Sequence, residues 1–381
     1  LENLKTAIVH EWFVNYAGSE RVVESLTNIW PNADVFALVD FLDDKQRQII
    51  LKGKHAHTSI IQKLPFARKK HRNYLPLFPF AVERLNLSGY DLIISSSHAV
   101  AKGIKTKPDQ LHISYCHSPM RYAWDNSKQY LAEANADKGI KGILANSVIN
   151  YLRKWDLATS VRPNYLIANS NFIAGKLKRI YDREATVIYP PVDVDKFTFK
   201  TEKENYYLTA SRMVPYKRID LVVSAFSQLP DKKLFVVGNG PEFDKIKKNA
   251  SQNIELLGYR EGDDFKKIIA NAKAFVFAAE EDFGITIVEA MACGTPVIAL
   301  NKGGTTETAV DGKTGILFDS QNTDSIKKAV LRFEEEANTF NPREISDHAK
   351  QFSRKIFEDK IKKYVQDKSV NFFNKDKAFE F

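Results

Sequence analysis

Cys116 and Cys293 are the only two cysteines in 381 residues, too few for a disulfide framework, and they point to a reducing compartment. No apolar run reaches the roughly 18–20 residues that span a bilayer, so an integral helical membrane protein is not expected. Leu1-Glu2-Asn3-Leu4-Lys5 leads straight into the strand-like Ala7-Ile8-Val9, and no removable secretion signal is expected. No Gly-Lys pair completes a G-x-x-x-x-G-K-[ST] phosphate loop, no G-x-G-x-x-G follows the first strand, and no His/Cys cluster has metal-site spacing. These absences count against P-loop NTPases, plain NAD enzymes and zinc proteins. What is present is ordinary globular material, 44% hydrophobic and 27% charged with 17 Gly and 14 Pro, enough for two domains with full cores. The net charge of +9 leaves three kinds of partner: nucleic acid, an anionic membrane surface or a polyanionic small molecule.

Short apolar runs recur at 6–9, 91–94, 111–115, 165–168 and 186–189, and again at 206–209, 233–237, 254–257, 274–277, 296–300 and 316–318. Lacking polar alternation, they predict strands buried on both faces of a parallel sheet. Helix-like stretches such as 219–229 and 265–271 separate them, which is the rhythm of a doubly wound α/β fold. The rhythm breaks at Tyr189-Pro190-Pro191-Val192-Asp193, where prolines mark a linker running to about Glu204. Two Rossmann-like halves around it would place a cleft between the carboxyl ends of their strands. The expected organisation is a domain over 1–190, a linker over 191–204, a second domain over 205–350, and a helix and tail over 351–381. The periodic segment 353–365 belongs to neither half by pattern.

The segment from Glu281 through Gly284 and Glu289 to Pro296 follows a strand and opens a helix near Ile285. Gly284 permits close backbone approach, and the helix N-terminus offers free N–H groups to an anion. Glu289 can accept two hydroxyl hydrogen bonds, as from a ribose diol, while Glu281 can meet another part of the same ligand. The bland alternative is a carboxylate stabilising the helix dipole, with Glu289 on a solvated face. Arg212 and Lys217 flank a Pro-containing turn after the first strand beyond the linker, where two cations suit a diphosphate; two solvated basic residues are the alternative. Gly238-Asn239-Gly240-Pro241 is half a dinucleotide fingerprint without its third glycine. His117 ends a strand before a Pro-bearing loop, which favours function over a structural role, and Cys116 points to the opposite face.

Taken together, Arg212…Lys217, Gly238-Asn-Gly-Pro241, the E-x7-E pair Glu281…Glu289 and Ala290-Met-Ala-Cys-Gly-Thr-Pro296 resemble family 4 (group 1) glycosyltransferases over nearly the whole chain. The resemblance implies the α/β GT-B fold: two Rossmann-like domains facing a central cleft, with a C-terminal helix returning to the first. It implies a retaining transferase that uses a nucleotide sugar and needs no metal and no other cofactor. Arg212 and Lys217 would bind the donor diphosphate, and Glu289 the ribose. Glu281 would hold sugar hydroxyls, aided by the backbone of Phe283, Gly284 and Ile285. Gly238 would belong to the donor site, and Gly258, Tyr259 and Arg260 would lie along the base. In the first half, Gly18 would approach the phosphates and sugar, and His117 the reacting sugar, with Arg121 and Trp124 towards the acceptor. Many relatives carry Gly-Gly where this chain has Ala17-Gly18.

The strings from His117 to Asp125 and from Ser96 to Gly103 are similar to bacterial mannosyltransferases of polysaccharide and lipopolysaccharide assembly. They imply GDP-mannose as donor, a lipid-linked or saccharide acceptor, and a cytoplasmic enzyme peripheral on the inner membrane. Arg68-Lys69-Lys70-His71-Arg72 beside Phe66, Tyr74, Phe78 and Phe80 suits an anionic membrane surface better than nucleic acid, with a solvated basic loop beside core aromatics as the equal alternative. Asp193-Val-Asp195 has the spacing of a metal-binding Asp-x-Asp, but it lies in the linker rather than at a strand end. Alternatives are a UDP-hexose-dependent transferase, an epimerase of the same fold, and a non-catalytic binding protein on a degenerate scaffold.

Overall fold

The computed structural model describes residues 4–125 and 139–375. The chain divides into two compact units, Leu1–Pro191 with Phe357–Phe381, and Val192–Ile356. The end of the tail, 376–381, lies outside the described residues.

The first unit is built on β1 (Thr6–Phe13), β2 (Asp34–Asp40), β3 (His57–Thr58), β4 (Leu92–Ser97), β5 (Leu111–Cys116), β6 (Tyr165–Ala168) and β7 (Thr186–Val187), in the order β3-β2-β1-β4-β5-β6-β7. Every pairing is parallel, and β1, β4 and β5 are buried along their whole length. Helices cover both faces. Val22, Val23 and Leu26 pack on one, Phe78 and Val82 on the other, as crossover connections require. The second unit carries β8 (Tyr207–Ala210), β9 (Leu234–Val237), β10 (Ile254–Gly258), β11 (Ala274–Phe277), β12 (Val297–Leu300) and β13 (Gly315–Phe318), in the order β10-β9-β8-β11-β12-β13, again all parallel.

Two strands escape the sequence reading. β2 is a five-residue apolar run, Val35–Val39 in numbers 35–39, bracketed by Asp34 and Asp40 and buried throughout its centre. β3 has two residues and no run to detect. The helix expected within 351–381, and expected to return to the first domain, is Arg354–Lys375, whose Phe357, Ile361 and Val365 complete the first unit's core. Phe357 is 2% exposed and meets the ring of Tyr115 edge-on at 5.7 Å.

Asp193 is not a metal ligand in waiting. Its carboxylate accepts from Arg354 Nε at 2.6 Å and Nη2 at 3.0 Å, and from Lys196 Nζ at 3.0 Å. Burial alone would raise its pKa, but the Arg354 and Lys196 charges outweigh burial and hold it at about 2.

Phe357→Ala should cost about 3–5 kcal/mol by cavity formation, read as a fall in the unfolding free energy of the first unit in denaturant titration. The depressed Asp193 carboxyl contributes stability above its unfolded pKa and loses it as pH falls towards 2. Asp193→Asn should therefore remove on the order of 2 kcal/mol at neutral pH and progressively less below about pH 4. Denaturation curves of both proteins across that range check the convergence.

Candidate functional site

In the second unit the strand order reverses between β8 and β11, so crossovers leave on opposite faces and the carboxyl ends of these two strands open a crevice. The loops around it are laced together: Ser211 N–H donates to Val237 O at 3.1 Å, Met213 N–H to Asn239 O at 2.9 Å, and Gly238 N–H to Gly258 O at 2.9 Å. Gly238 has φ +137°, and a Cβ there would lie 1.9 Å from the Ser211 carbonyl oxygen. The loop contact therefore demands glycine whether or not a ligand approaches. Arg212 is exposed, and its side chain has no partner among the described residues. Lys217 ends the turn Pro215–Lys217 and forms an ion pair with Glu281, which joins the loop after β8 to the loop after β11. Read apart in the sequence, these two residues are in contact.

Gly284, at φ +92°, turns the chain into the helix Ile285–Ala292, and Phe283 is buried beneath. Glu289 is only 5% exposed, which overturns a solvated face for it. A carboxylate seldom stays buried without a specific partner. Gly258, Tyr259 and Arg260 stand at the end of β10, two strand spacings, about 10 Å, from β8. Tyr259 is largely exposed and donates its hydroxyl to Glu261 Oε2 at 3.1 Å.

The first unit has its own reversal, between β1 and β4. Here the sequence reading missed the main feature. Glu11, fully buried, accepts at Oε1 from the backbone N–H groups of His98, Ala99, Val100 and Ala101 and from Ser97 Oγ, all between 2.9 and 3.1 Å. Burial would raise its pKa, but the adjoining His98 and His10 and the N–H donors keep it ionised, well below the usual carboxylate range. His98 Nδ1 lies 3.1 Å from Glu11 Oε2. His10 faces Ser96 O through Nδ1 at 3.1 Å and Glu20 Oε1 through Nε2 at 3.4 Å. Burial opposes charge on His10, yet Glu20 and Glu11 raise its pKa overall. A signal existed: His10-Glu11 is a charged pair inside an otherwise apolar strand, at its carboxyl end.

His117 donates its backbone N–H to Ser97 O and pairs Nε2 with Ser96 Oγ, each at 2.8 Å. Burial, followed by the neighbouring His98 and His10, pushes its pKa well below 6.5, so the ring is neutral at physiological pH. Gly18 opens the helix Gly18–Ile29 at the same edge, where Glu20 Oε2 accepts the Ala17 N–H at 3.1 Å. Arg121 is half-buried in the loop after β5. The Trp124 indole N–H is committed to Asp156 Oδ2 at 2.7 Å, a carboxylate shared with Tyr181 and Lys102. Burial lifts the Cys116 thiol to about 11, which removes it as a nucleophile. His10, Glu11 and His98 are close enough to suggest a metal, but His10 Nδ1 points at a carbonyl and so carries a proton, and Glu11 Oε1 is filled by N–H donors.

Arg68, Lys69 and Lys70 form an exposed turn beside Phe66, which is 79% exposed. None of the three makes an ion pair among the described residues, whereas Arg47 and Lys102 of the same unit do. Arg72 differs from them, lying over the Trp12 ring at 5.6 Å. Among the described residues, no helix is long and apolar enough to cross a membrane.

Residues 16–196 match the model of Glycosyltransferase Family 4, and residues 193–355 that of Glycosyl transferases group 1. An uncharacterized glycosyltransferase of Methanocaldococcus jannaschii is 30% identical over 223 residues, 56% of this chain and 61% of that protein. A GDP-mannose-dependent alpha-(1-6)-phosphatidylinositol monomannoside mannosyltransferase of Mycolicibacterium smegmatis is 34% identical over 170 residues, 37% of this chain and 44% of that one. The chain thus spans between two-fifths and three-fifths of the length of these curated relatives. Among solved structures, HepE of Anabaena in complex with UDP aligns with a TM-score of 0.68 at 17% identity, covering 96% of this chain and all of that one. Sucrose-phosphate synthase of Thermosynechococcus elongatus aligns at 0.70 and 15%, covering 95% and 98%. Two adjoining family models over 16–355, on two doubly wound parallel sheets of GT-B type, make this chain a member of glycosyltransferase family 4 (glycosyl transferases group 1).

Proposed function

We propose that the chain is a retaining, nucleotide-sugar-dependent hexosyltransferase, moving mannose from GDP-mannose to a hydroxyl of a lipid-linked or saccharide acceptor. The observation that carries the reading is the crevice between β8 and β11, where Lys217 pairs with Glu281 across two loops and Arg212, exposed and without a side-chain partner among the described residues, stands on the same loop as Lys217. A diphosphate arriving there gives Arg212 a counter-ion and competes with Glu281 for Lys217. Glu281 is then released to accept sugar hydroxyls, while Glu289 takes the ribose diol. The bond from the sugar's anomeric carbon to the diphosphate breaks as the acceptor oxygen attacks from the same face, and the departing phosphate oxygen takes the acceptor proton. Arg212, Lys217 and the N–H groups near Gly284 stabilise the charge that develops on the diphosphate, so a divalent ion is not required. His117, whose ring is neutral, orients the sugar.

Mannose and the guanine base rest on the resemblance of the loops after β4 and β5, and on relatives named as GDP-mannose-dependent. A UDP-hexose donor is the second reading, favoured by a fold neighbour crystallised with UDP-glucose. Arg68, Lys69 and Lys70, without ion pairs among the described residues and beside the exposed Phe66, support docking on an anionic membrane at the cytoplasmic face, where a lipid-linked acceptor would present its sugar.

Arg212→Ala and Lys217→Ala should each weaken nucleoside diphosphate binding about tenfold to a hundredfold, the worth of a charge-assisted hydrogen bond. Calorimetric titration with GDP and UDP, and then with their hexoses, measures the loss and identifies the base. Unchanged affinity in both folded variants would move the phosphate site elsewhere. Each Lys or Arg near an anionic surface contributes about 1 kcal/mol, so replacing Arg68, Lys69 and Lys70 together by Ser should weaken binding to anionic vesicles about 100-fold. Transfer to a soluble acceptor should be unaffected. Co-sedimentation with anionic and neutral vesicles at two salt concentrations checks this, and equal binding to both would remove electrostatic docking.

A further inference from the structure

The proposed reaction leaves the β1/β4 cluster without a role beyond His117, yet a single carboxylate oxygen there, Glu11 Oε1, accepts from five donors. Glu11 Oε1 is consumed by four backbone N–H groups and a serine hydroxyl, which locks the loop from Ser97 to Ala101. The carboxylate's other oxygen faces His98 Nδ1 at 3.1 Å. An ionised carboxylate beside Nδ1 favours the tautomer with its proton there, in which Nε2 is an acceptor. The His98 ring is held on its other sides by the edge of Trp12 at 4.7 Å and by the rings of His10 at 5.7 Å and His117 at 6.2 Å. Its Nε2 has no protein partner among the described residues, and the side chain remains 22% exposed. A histidine fixed this firmly, with one nitrogen turned out at the carboxyl end of a switch-point strand, is preorganised for a ligand.

We propose that His98 is a second substrate-contacting histidine of this site, accepting at Nε2 a hydrogen bond from a hydroxyl of the transferred sugar or of the acceptor, with Glu11 as its positioning residue. The assignment rests on the glycosyltransferase reading. It gives the Ser96-Ser97-His98 string its physical sense: Ser96 serves His117, Ser97 serves Glu11, and His98 serves the substrate.

Asparagine and glutamine separate the two nitrogens. His98→Asn can keep an N–H close to Glu11 Oε2 but has nothing at the Nε2 position. His98→Gln places its amide oxygen near Nε2 but takes its N–H away from Glu11. The assignment expects kcat/KM to fall about tenfold or more in His98→Asn, with partial recovery in His98→Gln and unchanged nucleoside diphosphate affinity in both. Full activity in His98→Asn would overturn it, because that result makes the ring only a prop for the Glu11 loop. Glu11→Gln, which retains an acceptor for the loop, should lose activity in wild type and show no further loss in the His98→Asn background; additive losses would overturn the positioning role. The two hydroxyl sources are told apart by donor hydrolysis without acceptor. If that rate falls in His98→Asn, the hydroxyl is the sugar's; if it is unchanged while the acceptor KM rises, the hydroxyl is the acceptor's. Wild-type protein that binds no nucleotide sugar would defeat the reading of the enzyme itself, whereas wild-type turnover matched by His98→Asn defeats only this assignment.

Discussion

A parallel strand can be followed by another only through a crossover over one face of the sheet, and the hand of that crossover is fixed. Wherever successive crossovers change faces, two neighbouring strands part at their carboxyl ends and no connection fills the gap. Each unit of this chain meets that constraint once, between β1 and β4 and between β8 and β11. The Lys217–Glu281 pair and the His10–Glu11–His98 cluster take their positions from it. The buried strands set the height of the groups, and the loops after them set the direction.

The two crevices solve different electrostatic problems. In the second unit, charge is partly solvated and exchangeable: the Lys217–Glu281 pair can open in favour of a better anion because neither partner is fully buried. In the first unit, charge is buried and bound to backbone. Glu11 is paid for by N–H groups that would otherwise be unsatisfied at the start of a tight turn, so the carboxylate and the loop stabilise one another. Such a carboxylate is part of the scaffold, and it fixes the electrostatic environment of the histidines around it.

Much of the second unit's crevice was legible because short-range spacing carries it. Glu281, Gly284 and Glu289 sit on one turn and one helix, so nine residues of sequence hold their geometry. The first unit's cluster joins residues 10, 11, 20, 96, 98 and 117 across three strands and a helix, and no local pattern declares such contacts. Only the polar pair His10-Glu11 in an apolar strand betrayed it. β2 could have been read from its apolar run, but Trp30-Pro31-Asn32 just before it resembles a loop. The pairing of Lys217 with Glu281 needed β8 and β11 to be neighbours, which is a fact of strand order rather than of spacing.

The helix Arg354–Lys375 has a consequence for how the protein is made. Its Phe357, Ile361 and Val365 close the core of the first unit, yet they leave the ribosome after the whole of the second unit. Domains generally fold as units during synthesis, amino-terminal first, but here the amino-terminal sheet must wait with one apolar flank uncovered while its successor folds. A chain that stopped after Ile356 would hold the second unit joined to a first unit with that flank open. The first unit's core closes only once Arg354–Lys375 has been made.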